Sequence, residues 1–356
     1  MSIPVDVIVT NHNYGRFVSE AIDSALAQPG VDVSVIAVDD GSTDDSAAVL
    51  ARYEDRIAVV LKENGGQASA FNAGFARSQA PFVAFLDADD ILAEGALARA
   101  AGAAAAVPEA VKVQWTVELA DAGGRRTGAL IPAPHLPMPT GDVAAEQQRY
   151  GFDLFWAATS GNLFRRQALE RLLPMPEDEY RTNADWYLQH LSPLLGPVVS
   201  LREVGTLRRV HGANAYEQAA TDDVDVAHVR ESVAVAERTG RELERLAAEL
   251  ELPRQQMRAV SSAANRMISL RLDPGSHPVA GDSRAGVLRD GIRAAAGRDD
   301  VSPLLRAAFC CWFAATAVAP RPVARMLARW WLFPEQRRAA NGLLALLHRR
   351  RGTVTS

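Results

Sequence analysis

The strongest constraint on the fold is an alternation in the first hundred residues. Continuous β-rich apolar runs at 5–10, 33–38, 57–61 and 81–86 are separated by stretches at 17–28, 44–53 and 67–77 with apolar residues at helical spacing. A strand without polar alternation must be covered on both faces, and strands separated by helices pair in parallel through crossovers. The pattern predicts an α/β domain with a doubly wound, mostly parallel sheet flanked by helices. Beyond Leu92 an alanine-rich helix leads to an alternating strand at 111–119. Asp121-Ala122-Gly123-Gly124 then reads as a hairpin turn. Four prolines make 131–141 a loop. From Asp222 the character changes: 226–250 and 254–272 are amphipathic helical patterns, with three more helical segments to Arg351. The expected division is therefore 1–220, an α/β domain whose halves meet near 110, and 221–356, an all-helical region. The 356 residues suit two domains of ordinary size.

Composition narrows the function classes. Hydrophobic residues at 48% and charged residues at 23% exclude a disordered or fibrous chain. The only two cysteines, Cys310 and Cys311, are adjacent, so no disulfide framework is expected and a reducing, cytoplasmic compartment is. The opening MSIPVDVIVTNHN lacks a basic region and turns polar within ten residues, reading as a strand and not a leader. The longest apolar stretch, 307–320, is 14 residues, short of a bilayer span. The net charge of −5 gives no reason to expect nucleic-acid binding. Positive charge concentrates at 321–351, where eight arginines meet one glutamate. Only Lys62 and Lys112 among the 38 basic residues are lysine, a bias of genome composition.

Three polar clusters follow expected strands: Thr10-Asn11-His12-Asn13, Asp39-Asp40-Gly41-Ser42 and Asp87-Ala88-Asp89-Asp90. In open parallel sheets, ligands bind beyond the carboxyl ends of the strands. One aspartate after a strand is usually a turn former or a helix cap, as Asp44 is expected to be. Three clusters on one edge call for a ligand. Asp87-x-Asp89 emerges abruptly from an apolar strand, and hard carboxylate oxygens suit Mg2+ or Mn2+ completed by substrate phosphates.

The ordered set VIVTNHN at 7–13, VDDGSTDDS at 38–46, ENGGQASAFNAGF at 63–75, FLDADD at 85–90, SGNLFRR at 160–166, ADWYL at 184–188 and RVHGAN at 209–214 resembles the family 2 glycosyltransferases, with their GT-A nucleotide-diphospho-sugar fold. The resemblance covers residues 1–215 and implies the following. Thr10, His12, Asp40, Gln67, Asn72 and Asp87 contact the nucleotide: His12 stacks on the base, Asp40 pairs with its edge and Asp87 holds the ribose. Asp89 and His211 bind the metal, and Arg209 touches the diphosphate. Asp185 is the catalytic base. Ser160, Gly161, Asn162 and Trp186 face the donor sugar or the acceptor. Two positions depart from the family pattern: Ala184 stands where an acid commonly precedes the base, and His12 replaces an aromatic ring.

The implied activity is inverting, Mn2+- or Mg2+-dependent transfer of a hexosyl group from a nucleotide sugar, a UDP-sugar by preference. The acceptor is a carbohydrate or a lipid-linked hydroxyl, as in envelope polysaccharide synthesis. The rival is a catalytically silent nucleotide-sugar-binding module of an assembly, which Ala184 alone favours. A sugar-1-phosphate nucleotidyltransferase would need a glycine- and arginine-rich loop after the first strand, which Thr10–Asn13 is not. The arginines and tryptophans of the tail predict either peripheral contact through 303–351 with the cytoplasmic face of a membrane or a helix packed on the protein's own acidic surface.

Overall fold

A computed structural model describes residues 2–212 and 223–333. It divides into two compact units. The first comprises Met1–Gln147, Leu154–Glu217 and Arg241–Pro253; the second comprises Gln148–Asp153, Gln218–Gly240 and Arg254–Ser356.

In chain order the first half runs β1 (Ile3–Asn11), α1 (Gly15–Leu26), β2 (Val31–Asp40), α2 (Ser46–Leu50), β3 (Ala58–Lys62), α3 (Gln67–Arg77), β4 (Phe82–Asp87), β5 (Ile91–Leu92) and α4 (Ala96–Ala106). There follow β6 (Lys112–Ala120), β7 (Arg126–Ile131), α5 (Ala144–Tyr150), β8 (Asn162–Arg165), α6 (Arg166–Leu172), α7 (Ala184–Leu191) and β9 (Val198–Arg209). The sheet order is β3-β2-β1-β4-β8-β6-β9-β5, with β7 paired to β6. β3, β2, β1 and β4 are mutually parallel. Val7, Ile8 and Val9 of β1 are wholly buried, and burying a side chain of that size contributes roughly 1.5–3 kcal/mol. α1 closes one face with Phe17, Val18, Ala21, Ile22 and Ala25.

The sheet is mostly parallel, as expected, with β6 and β9 also parallel, and antiparallel pairs enter in its second half. β8 runs antiparallel to both β4 and β6, and β7 is hairpinned onto β6 through the turn at Asp121. The reason is the connections: beyond α4 they no longer all make the long crossover that parallel neighbours need. β6 brings a second difference. Its sequence alternates as a strand with one wet face does, yet Lys112, Gln114 and Thr116 are buried as deeply as Val113, Trp115 and Val117. β6 lies between β8 and β9 and is covered on both sides, so its polar face must be satisfied internally.

The remaining elements are helices: α8 (Val226–Glu249), of which the residues up to Gly240 fall in the second unit, and α9 (Val260–Leu272), α10 (Arg284–Ala296), α11 (Pro303–Val318) and α12 (Arg321–Leu332) within the second unit. Its core holds Met267, Ile268, Val287, Trp312 and Phe313. Among the described residues no helix is long and apolar enough to cross a membrane. In α12 much of the expected membrane face is engaged internally. Arg325 pairs with Asp223 through two contacts of 2.7 and 2.6 Å, Arg321 donates to the Leu272 carbonyl, and Trp331 packs on Phe309 and Trp312. Val323, Met326 and Trp330 point outward. Residues 334–351 of the expected membrane-contact stretch lie outside the described residues, as do 213 and 214 of the RVHGAN match.

Candidate active site

The carboxyl ends of β1, β2 and β4 meet in register, Thr10 beside both Val38 and Asp87. There they line a cavity of about 420 Å3. Asp39 holds the loops together: its oxygens accept from the Asn11 amide at 2.8 Å and the Ser42 backbone N–H at 2.8 Å. Asp40 faces the cavity. It accepts from Lys62 Nζ at 2.7 Å and from the N–H groups of Gly65 and Gly66 at 2.9 and 2.7 Å. Two carboxylate oxygens have about four acceptor sites, so Asp40 keeps capacity for one further donor. Gly66 adopts φ +87°, and a side chain there would collide with Arg181. Only glycine lets that backbone turn its N–H onto Asp40. His12 is exposed at the cavity mouth, its Nδ1 3.0 Å from the Asp40 carbonyl.

The acidic end of β4 forms the cavity floor with Asp87, Asp89 and Asp90. Burial, then the charges of Asp90 and Asp89, hold the Asp87 carboxyl well above its ordinary range. Burial and Asp89 push Asp90 up to about 7. Asp89 Oδ2 lies 3.1 Å from Nε2 of His211. The His211 ring packs 4.7 Å from Phe17 and 5.5 Å from Tyr14, so its orientation is fixed by α1.

Asp185 reaches the same cavity from the first turn of α7. Its carboxylate accepts from the Trp186 N–H and from Gln189 Nε2, both at 2.9 Å, and from the Thr159 backbone. Burial raises its pKa above the usual carboxylate value against those hydrogen bonds. Ala184 is fully buried, and its N–H is taken by Gln67 Oε1 at 2.9 Å.

The structure thus gathers Thr10, His12, Asp40, Gln67, Asp87, Asp89 and Asp185 around one cavity, with His211 touching Asp89. It directs other expected site residues elsewhere. Asn72 clamps the Met175 backbone from both its amide atoms and reaches Glu177. Asn162 staples its own loop by donating to the carbonyls of Ala157 and Ala158. Ser160 Oγ accepts from the Asp87 N–H, and Gly161 packs tightly against Ala157. Trp186 stacks on His190 at 4.9 Å. Arg209 is buried under Phe17 and committed to Glu20 and to the carbonyls of Asp89 and Ala122. Its neighbour Arg208 lines the cavity, together with Asn64 and Arg181. Strand alternation, which sends adjacent side chains to opposite faces, is the signal that could have separated 208 from 209.

This sheet, with acid-bearing loops at the carboxyl ends of its parallel strands, defines a GT-A-like fold. Residues 6–173 match the model of glycosyl transferase family 2. A protein of Nostoc sp. described as an uncharacterized glycosyltransferase is 34% identical over 222 residues, 61% of this chain and 68% of its own length. The chain belongs to glycosyltransferase family 2. The succinoglycan biosynthesis protein ExoU of Rhizobium meliloti is 42% identical over 100 residues, 26% of this chain and 29% of ExoU. In fold, the chain is similar to Staphylococcus aureus TarS residues 1–349 in complex with UDP, with a TM-score of 0.51 at 16% identity over 89% of this chain and 90% of that one. It spans 55% of the longer TarS structure.

Proposed function

We propose that this glycosyltransferase moves a hexosyl group from a nucleotide-diphosphate sugar, a UDP-sugar by preference, to an acceptor hydroxyl, with inversion at the anomeric carbon. The observation that carries the reading is the placing of Asp185 and the Asp87–Asp90 acids on one cavity. The spare acceptor capacity of Asp40 supports a base with an N–H on its edge, as uracil has, and TarS is seen with UDP. His12 would cover the base, Asp87 would take the ribose, and Arg208 with Arg181 would meet the diphosphate by charge-assisted hydrogen bonds. Asp185 would accept the proton of the attacking hydroxyl as the bond from the anomeric carbon to the diphosphate oxygen breaks. One displacement needs no enzyme nucleophile.

Among the described residues no group of three or more His, Cys, Asp or Glu side chains is poised to hold a metal. The pair Asp89 and His211 still fits one. Mg2+ and Mn2+ commonly take only one or two protein ligands and complete their shell with substrate phosphates and water. Bound there, the cation would supply Lewis-acid stabilisation of the leaving diphosphate.

We place the donor-binding half at about 1–110 and the acceptor half at about 111–220, with 221–356 as a separate helical region. The exposed Val323, Met326 and Trp330 on α12 support a peripheral site at the cytoplasmic face, close to a lipid-linked or envelope acceptor. The rival silent module rests on Ala184, whose backbone N–H is bonded to Gln67 Oε1. A thermal-shift screen of UDP-, GDP- and dTDP-sugars with and without Mn2+, paired with release of free nucleotide, tests the reading. It predicts the largest shift with a UDP-sugar and Mn2+, accompanied by turnover. Binding without turnover would favour the silent module.

A further inference from the structure

α7 carries Asp185 in its first turn, yet the start of the helix has no cap of its own. Asn183, the residue before it, stands in the left-handed region at φ +61°, and its side chain makes no capping hydrogen bond. The first N–H groups of a helix lack an intrahelical acceptor, and a buried one left unpaired is costly. Ala184 is such a case, wholly buried at the first position of α7. Its acceptor comes from another element. Gln67, the first residue of α3, offers Oε1 at 2.9 Å. Since Ala184 brings an N–H, the amide oxygen must be the atom that faces it. That turns Nε2 toward the Thr159 hydroxyl at 3.4 Å. Thr159 in turn gives its backbone N–H to the Asp185 carboxylate. The Gln67 backbone adds a further tie, donating to the Arg181 carbonyl at 2.8 Å. The residue before it, Gly66, donates to Asp40 at 2.7 Å.

We propose that Gln67 is a positioning residue for the base: its side-chain amide caps α7 at Ala184 and braces Thr159, and so fixes where the Asp185 carboxylate meets the acceptor hydroxyl. The proposal rests on Asp185 being the base. It gives Gln67 a different task from the nucleotide contact that the family resemblance implies, because Oε1 and Nε2 are both turned to the supports of Asp185. Asp185 has two other ties, to the Trp186 N–H and to Gln189 Nε2, but both partners belong to α7 itself. They travel with the helix, so they orient the carboxylate on α7 without fixing the end of α7 in the cavity. Gln67 and Thr159 come from other parts of the chain and supply that reference. Gln67 also follows directly on the glycine that holds Asp40, so one short segment sets both the expected base-edge contact and the proton acceptor.

The test measures kcat, donor Kd by calorimetric titration and Tm for Gln67→Met and Gln67→Glu, and kcat for Gln67→Met combined with Asp185→Asn. Methionine keeps the length of the side chain and loses both bonds. Its kcat should fall roughly 10–10²-fold, as a small misplacement of a reacting group does, with donor Kd within about twofold of wild type. Tm should drop by a few degrees. Glutamate keeps an acceptor for the Ala184 N–H at a helix start, where negative charge is favoured, and should restore Tm and part of the lost kcat. In the Asp185→Asn background Gln67→Met should cost almost nothing further, because residues that act through one another are not additive. Unchanged kcat in Gln67→Met, a loss of donor affinity at full kcat, no gain of kcat in Gln67→Glu at wild-type Tm, or losses that multiply in the double variant would each overturn the role of Gln67 and leave Asp185 as the base. Wild-type turnover by Asp185→Asn overturns the base assignment and this proposal with it.

Discussion

On the proposed reading two carboxylates in one cavity have separate tasks, and their surroundings differ. Asp89 is paired to a histidine wedged by α1, whereas Asp185 is held by donors from α7 and the 159 loop. Asp89→Ala should nearly abolish turnover while leaving Tm within a degree or two, measured by nucleotide release with and without EDTA. Near-normal activity in that variant, or in EDTA, would sink the metal assignment. The pH dependence follows from the sign of the Asp185 shift. A base must be ionised to work, and burial raises the pKa of Asp185, so if Asp185 is the base kcat should fall as pH drops through a value above the ordinary 3.8. The titration of kcat should lose this limb in the residual activity of Asp185→Asn. Asp87 and Asp90 are raised in the same cavity and would add limbs of their own, so the one that Asp185→Asn removes is the one assigned to the base.

At the scale of elements, the sequence showed most where burial is continuous. Runs without polar alternation became β1, β2 and β4, and α3 spans the 67–77 expected of it. The acids at strand ends were legible because their hydrophobic context made them conspicuous. What residue type alone hid is which of two adjacent side chains turns inward. Arg208 and Arg209 are indistinguishable in type, and only the register of β9 on β6 and β5 decides which meets the cavity. In β6 the alternating polar residues Lys112, Gln114 and Thr116 are as buried as their apolar neighbours, which the pattern alone does not reveal. The two arginines give opposite expectations. Arg208→Ala should weaken UDP-sugar binding at least several-fold with little change in Tm, as read by calorimetric titration. Arg209→Ala removes a buried guanidinium hydrogen-bonded to Glu20 and to the Asp89 and Ala122 carbonyls and should cost on the order of 3 kcal/mol of stability in urea unfolding. Equal behaviour of the two variants would show that the strand does not sort them.

For the whole molecule, the family match covers the α/β half and leaves the helical region to its own chemistry. Sequence alone could not choose between a membrane face and a packed helix for α12. In the structure Arg325 and Trp331 are turned onto the protein, while Val323, Met326 and Trp330 are exposed. Sedimentation with anionic vesicles at low salt should carry the full chain down, and high salt or removal of 321–356 should release it, because each basic residue near such a surface contributes on the order of 1 kcal/mol. A chain that stays in the supernatant at low salt would point to a soluble acceptor. The account's central claim is that Asp185 activates the hydroxyl attacking a nucleotide sugar held in the cavity. The most direct measurement is the rate at which Asp185→Asn splits a bound, saturating UDP-sugar in the presence of Mn2+, with water in the acceptor's place. The account predicts a rate lower by roughly 10²–10⁴-fold with donor affinity unchanged; a rate equal to wild type, or a loss of donor affinity at full rate, would contradict it.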